Sequence, residues 1–426
     1  MTLLAIFVGL IFLYSLVSAR LEKTVLTAPI LFTVAGMLAL QFLPELRNRQ
    51  GNLEVFLRVA EVGLVLLLFT DASRTDLRIL RNIRVLPARL LSTGLLLTIL
   101  LGTLAALVVF RQLSVWEAGI LGAILAPTDA GLGQVIVNSP RVPMKIRQAL
   151  NVEAGLNDGL SVPFLLFFIA LASSATEARD VHLPRLILEQ LGYGVIVGAA
   201  FGLAGGWMLG FARRREWMAE PFIQLGVVAL PLLCGLASEA AAASMFIAAF
   251  VAGLAVQIGF KEAGKHSVEF AEEWGQFVNL SVFFLFGLLV ARAWEDFTAA
   301  HFLYAILSLT VVRMLPVAIA LIGTRLSRAT VLFMGWFGPR GLASIVLGLV
   351  YLEREMHLPG EPTIRVAVMG TVLLSIVAHG LTALPGMHLY SQALTKLDAA
   401  SPEHQNAGAE HSEANRPPHA DARQLK

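Results

Sequence analysis

The chain predicts an all-α, polytopic membrane protein of about thirteen transmembrane helices, and three observations carry that prediction. Of its 426 residues 57% are hydrophobic and 15% charged, with a mean hydropathy of +0.73, too apolar for a soluble globular domain. Apolar runs recur that are long enough to cross ~30 Å of hydrocarbon as helices. Lys and Arg are sorted between alternating connections, outnumbering those of the opposite set about two to one, as the positive-inside rule demands.

The runs fall at about 2–19, 26–43, 53–71, 86–110, 115–138, 144–171, 186–211, 219–238, 241–260, 274–291, 297–323, 329–352 and 363–389. The first follows Met1 with no preceding Lys or Arg and no small-residue cleavage site after it, which predicts a retained helix and no cleaved signal peptide. The eighth and ninth are divided by Glu239 and an alanine cluster. The basic-rich loops include Arg141, Lys145 and Arg147, the run Arg213 to Arg215, and Arg325 with Arg328. Assigning these to the cytoplasm of a cell (inner) membrane protein places the N-terminus outside and the C-terminus inside. The single cysteine, Cys234, excludes a disulfide framework and a cysteine metal site. From residue 396 the composition turns polar, predicting a disordered cytoplasmic tail over 396–426 after a transmembrane domain over 1–395.

Two runs are interrupted. The fifth reads Ala126-Pro127-Thr128-Asp129-Ala130-Gly131, and the twelfth Gly338-Pro339-Arg340-Gly341. Proline removes a backbone donor and clashes with the preceding turn, so both spans should unwind there. A spacing of seven spans inserts the two in opposite directions, and paired Gly/Pro-broken spans in inverted halves point to a secondary transporter's midplane site. Asp129 and Arg340 can compensate opposite half-helix ends.

The sixth run carries Glu153-Ala154-Gly155-Leu156-Asn157-Asp158-Gly159. A charged side chain at the bilayer centre costs at least ~2.5–3.5 kcal/mol, so two carboxylates here need a function. Glu153 and Asn157, four apart, share a face, and Asp158 is turned ~100° from Asn157. Arg313, deep in the eleventh run, is the cation best placed to pair with Glu153. That leaves Asp158 to water, a proton or a metal ion, with Gly155 and Gly159 expected to leave room beside it.

These blocks, in order with Arg313, resemble the signature of the monovalent cation:proton antiporter superfamily, and the Asn-Asp pair resembles its NhaP and sodium/proton exchanger branch. The resemblance spans about residues 5–390. It implies an NhaA/NhaP-like antiporter fold and a homodimer, with a moving core at about 86–171 and 297–389 and the other helices as dimerisation scaffold. It implies exchange of a monovalent cation for H⁺, with Na⁺ foremost and K⁺ or Li⁺ as alternatives, electroneutral in the Asn-Asp type, serving pH homeostasis. Asp158 would bind cation and proton in turn, with Asn157, Thr128 and Asp129 at the site, Glu153 and Arg313 as a structural pair, and no resident cofactor or enzymatic activity. Two departures stand out. Ala154 occupies a position where relatives often have a ligating serine, and Thr70-Asp71 stands where archaeal relatives often have Phe-Glu shifted by one place, leaving these two as a possible part of the ion pathway.

Elsewhere, Arg58 and Glu61 are spaced to pair with each other. His379 reads as a hydrogen-bonded interior histidine. Arg74, Arg78, Arg81 and Arg84 form a basic stripe suited to anionic lipid headgroups, and Glu262, Glu269, Glu272 and Glu273 a solvated stretch. The rival classes are a passive cation channel, which would need filters built from repeated subunits, and an intramembrane aspartyl hydrolase using Asp129 and Asp158 as a dyad.

Overall fold

The computed structural model describes residues 2–21, 24–42, 53–74, 85–137, 139–174, 188, 192–260, 265–353, 358–398 and 401–403. Among these there is no strand. The helices are α1 (Thr2–Leu21), α2 (Ala28–Phe42), α3 (Leu53–Arg74), α4 (Val85–Val109), α5 (Val115–Ile124), α6 (Ala130–Val137), α7 (Met144–Ser174), α8 (Tyr193–Arg214), α9 (Glu220–Ala240), α10 (Met245–Gly259), α11 (Lys265–Arg292), α12 (Ala299–Ala320), α13 (Arg328–Trp336), α14 (Leu342–Glu353) and α15 (Glu361–Leu394). Eight of them are long and apolar enough to cross a membrane. Both expected interruptions are present, splitting α5 from α6 and α13 from α14. A further irregularity, not legible in the hydropathy, interrupts α12 at Thr310 (φ −106°, ψ −90°), one turn before Arg313. Glu239 and its alanines mark the end of α9, where Ala242 takes φ 51°.

Helices in lipid gain little from burying apolar surface against one another, so close backbone approach and polar bonds must hold them. The glycines of α8 supply this against α10: a Cβ at Gly202 would lie 2.6 Å from the Ala252 carbonyl oxygen and one at Gly206 2.6 Å from that of Val256. On its other side α10 packs with α3, and α2 lies along α11. Around the breaks, α5 packs between α4 and α7, while α15 packs on α12 and α13. Arg58 donates to Glu61 at 3.1 Å and also to Glu239 of α9 at 3.2 Å, tying α3 to α9.

Beyond the end of α15 the described residues include 395–398 and 401–403. Glu403 is buried and accepts the Ser327 backbone N–H and the Thr330 hydroxyl, both at 2.8 Å, at the N-terminus of α13. A carboxylate at a helix N-terminus is held by the orphan N–H groups and the helix dipole, a long-range contact that tail composition does not reveal. Burial raises the Glu403 carboxyl, but these hydrogen bonds outweigh it and hold it below the ordinary glutamate value. Arg78, Arg81, Arg84 and Glu262, the side chains of Arg74, Glu269, Glu272 and Glu273, and the tail from residue 404 lie outside the described residues.

Candidate functional site

The two breaks cross and cap one another. Pro127 and Pro339 each remove a donor, leaving half-helix ends that need partners. The Asp129 backbone N–H donates to the Pro339 carbonyl at 2.8 Å, joining the two unwound segments directly. One Asp129 carboxylate oxygen accepts the Leu132 N–H at 2.9 Å, capping α6, and the other accepts the Leu342 N–H, the first of α14. A single acid thus meets the positive ends of two half-helices. In return Arg340, fully buried, donates through Nη1 to the Ala126 and Pro127 carbonyls, both at 2.9 Å, at the negative end of α5.

The glycines around Pro339 serve this approach. A Cβ at Gly338 would overlap the Arg313 guanidinium, and one at Gly341 would overlap the Asp129 carboxylate. The motif is therefore a requirement for close contact as much as for bending.

Helix α7 brings the other acids. Arg313 donates to Glu153 through Nη1 at 2.5 Å and Nη2 at 3.0 Å, a bidentate pair exposed by only 4% and 2%. Such a fork-to-fork bond satisfies both charges at once. One turn on, Asn157 donates its carboxamide N–H to the Thr128 hydroxyl at 2.8 Å, tying α7 to the first break. The Asn157 side-chain oxygen Oδ1 is buried without a hydrogen-bond partner among the described residues, and so is the Thr70 hydroxyl on α3. Asp158, 3% exposed, follows Asn157. The structure thus brings Thr128, Asp129, Glu153, Asn157, Arg313 and Arg340 into one network. The Asp71 side chain lies outside the described residues.

The expected room beside Gly155 and Gly159 is absent. A Cβ at Gly155 would run into the Phe250 ring and one at Gly159 into Ile247, both of α10. These glycines seat α7 against α10, as small residues do between membrane helices. The open space lies on another face. A small cavity of about 20 Å³, room for about one water, is lined by Thr128, Asp129, Gly133, Ile136, Val137, Leu150, Asn151, Ala154, Phe337 and Pro339. Asn151 and Ala154, which line it, share a face of α7 with Asp158 at i, i+3, i+7 spacing, although Asp158 itself is not in the lining.

Two residues at this place had no sequence argument behind them. Asn151 lines the cavity. Asn279 of α11 is buried, and a Cβ on Gly131 would lie 3.0 Å from its amide nitrogen and 3.0 Å from the Asp129 carboxylate. The only sequence signal for either is a lone carboxamide in or beside an apolar run.

The family model described as "Sodium/hydrogen exchanger, transmembrane" matches residues 3–387. The chain belongs to the sodium/hydrogen exchanger family. Among relatives, it is 27% identical to a K⁺/H⁺ antiporter NhaP of Alkalimonas amylolytica over 80% of this chain and 59% of that protein. It is 26% identical to a probable Na⁺/H⁺ antiporter of Schizosaccharomyces pombe over 63% of this chain and 40% of that protein. The chain thus spans about half the length of the curated relatives it matches. Its fold matches that of the sodium proton antiporter MjNhaP1 of Methanocaldococcus jannaschii with a TM-score of 0.73 at 20% identity, covering 92% of this chain and 99% of that one.

Proposed function

We propose that the chain is a secondary transporter that exchanges a monovalent cation for H⁺, with Asp158 taking each in turn. The observation that carries the reading is the Asn157–Thr128 hydrogen bond, which fixes the helix bearing Asp158 onto the first break beside a cavity. Glu153 is neutralised by Arg313 and Asp129 is committed to the two half-helix N-termini, which gives both a structural role. The Thr128 and Asn157 oxygens and water in the cavity beside Ala154 are the ligands available to a weakly held cation. Na⁺ is the first candidate, with K⁺ and Li⁺ as alternatives; the relatives named above divide between Na⁺ and K⁺.

Burial favours a neutral carboxyl and a cation favours a charged one, so protons and cations compete for one group. If the core crosses the membrane barrier only when Asp158 is neutralised, an empty charged site cannot return and leak is suppressed. One cation then exchanges for one proton, electroneutrally. Counting α5 with α6 and α13 with α14 as interrupted spans gives thirteen passes, with the N-terminus outside and the C-terminus in the cytoplasm of an inner membrane. The core would comprise residues 86–171 and 297–389, and the remaining helices, with α1 exposed along its length, the scaffold of a homodimer. The buried Thr70 hydroxyl, without a hydrogen-bond partner among the described residues, supports the reading that Thr70 and Asp71 belong to the ion pathway.

The test is proton flux in proteoliposomes holding a pH-sensitive dye, after pulses of Na⁺, K⁺ and Li⁺ in turn. Exchange by the wild type and its loss in D158N, with the variant still folded, is expected. Current without opposing proton movement would identify a channel, and undiminished exchange by D158N would discard the mechanism.

A further inference from the structure

Four half-helix ends meet at the crossing. Asp129 answers two, the N-termini of α6 and α14, and Arg340 answers the C-terminus of α5. The fourth is the C-terminus of α13, whose Trp336 carbonyl lies 2.8 Å from His379 Nε2. His379 lies on α15 and is 3% exposed.

A neutral imidazole carries one N–H, and we assign it to Nε2, which faces the Trp336 carbonyl at the shorter of its two carbonyl distances. In the neutral ring Nδ1 is then an acceptor. Of the two Ser375 oxygens beside it, the carbonyl at 2.9 Å has no proton to give, whereas the hydroxyl at 3.2 Å does. The same hydroxyl accepts the Arg340 backbone N–H at 2.7 Å. A continuous chain results: the Arg340 N–H donates to Ser375 Oγ, the Ser375 hydroxyl donates to His379 Nδ1, and Nε2–H donates to the Trp336 carbonyl. It begins on one side of the break and ends on the other. The Trp336 indole stacks on the imidazole at 5.2 Å between centroids and 27° between planes, and its Nε1 donates to Thr382 of α15 at 2.9 Å.

We propose that His379 is a positioning residue for transport: with Ser375 it clips the unwound segment between Trp336 and Arg340 to α15 and so places Arg340 on the first break. The inference rests on the transport reading above. His379 contacts no ion in this account. It acts through Arg340, whose guanidinium holds the Ala126 and Pro127 carbonyls directly before Thr128, and through Pro339, whose carbonyl holds the Asp129 N–H directly after it. A change of a few tenths of an ångström at the clip therefore reaches the Thr128 hydroxyl and Asn157.

The experiment compares wild type, H379A, S375A, the double variant and H379Q in reconstituted exchange with Na⁺, K⁺ and Li⁺ pulses. H379A and S375A should each raise the apparent KM for the cation about tenfold, the equivalent of one hydrogen bond, with maximal rate per folded protein changed less than about twofold. Because both belong to one chain of bonds, the double variant should be no worse than the poorer single. H379Q should recover most of the loss, since its amide N–H can reach the Trp336 carbonyl. An unchanged KM accompanied only by poorer recovery of protein would overturn the proposal, and so would effects that multiply in the double variant. Amide hydrogen exchange over residues 337–341 reads the clip without transport. H379A and S375A should deprotect the Arg340 amide to the same extent, and unchanged protection would sink the clip whether or not the wild type exchanges cations. Absence of exchange in the wild type, with the amide result as expected, would instead condemn the transport reading alone.

Discussion

The two helix breaks are built from the same parts but are held differently. The first, at Ala126 to Asp129, is gripped from the other break: Arg340 takes its carbonyls and the Pro339 carbonyl takes its N–H. Its own side chains face α7 and a cavity. The second, at Phe337 to Gly341, is gripped by three elements: Arg313 of α12 against Gly338, Asp129 against Gly341, and Ser375 with His379 of α15. The second break is thus a brace that supplies the countercharge, and the first, on the transport reading proposed above, is where the Thr128 hydroxyl and the Asn157 carboxamide of α7 would meet an ion.

That asymmetry sets the order of expected effects. The largest belongs to the buried pair beneath both breaks. Glu153→Gln or Arg313→Ala strands a charge with almost no solvent access, at a cost of about 3–5 kcal/mol. Each should therefore reduce folded protein on size-exclusion chromatography, whereas replacing both with apolar residues should recover fold more than either alone. Recovery no better in the apolar double would show that the pair does more than neutralise itself. Next is the brace. R340A leaves the Ala126 and Pro127 carbonyls buried without a donor, at about 1–3 kcal/mol, and should lower both the melting temperature and the exchange rate. A change at the presenting break should spare the fold and alter affinity. A154S adds a hydroxyl facing the cavity beside Thr128, and a severalfold fall in apparent KM for the transported cation is expected; an unchanged KM would remove this face of α7 from the ion's coordination.

The smallest effect lies farthest from the crossing. The Glu403 carboxyl is held below its ordinary value, so its docking on α13 is fully present above the unfolded glutamate pKa of about 4.3 and is lost as pH falls through the lowered folded value. Limited proteolysis after residue 395 should therefore accelerate at acidic pH in the wild type and be fast at all pH values in E403Q.

Much of this architecture was legible because membrane insertion constrains sequence severely. Long apolar runs, the Pro127 and Pro339 interruptions and the rarity of buried charge gave the helices and the breaks without any tertiary information. The Glu153 and Arg313 contact could be anticipated because each is too expensive to leave alone. What could not be read were partners set by three-dimensional packing. Gly155 and Gly159 suggested space and instead mark contact with Phe250 and Ile247, since a glycine signals proximity without saying to what. His379 gave no sign that its partners were Trp336 and Ser375, nor Glu403 that it would turn back onto Ser327 and Thr330. The interruption of α12 at Thr310 carries no glycine and lies six residues before Pro316, so no local signal marks it.

The central claim is that one carboxyl serves proton and cation alternately, and proton release on cation binding tests it most directly. Purified protein in weakly buffered solution with a pH indicator is titrated with NaCl, KCl or LiCl near the working pH. The account predicts that the transported cation displaces protons, up to one per protomer, and that D158N displaces none. Cation binding without proton release, or equal release from D158N, would contradict it.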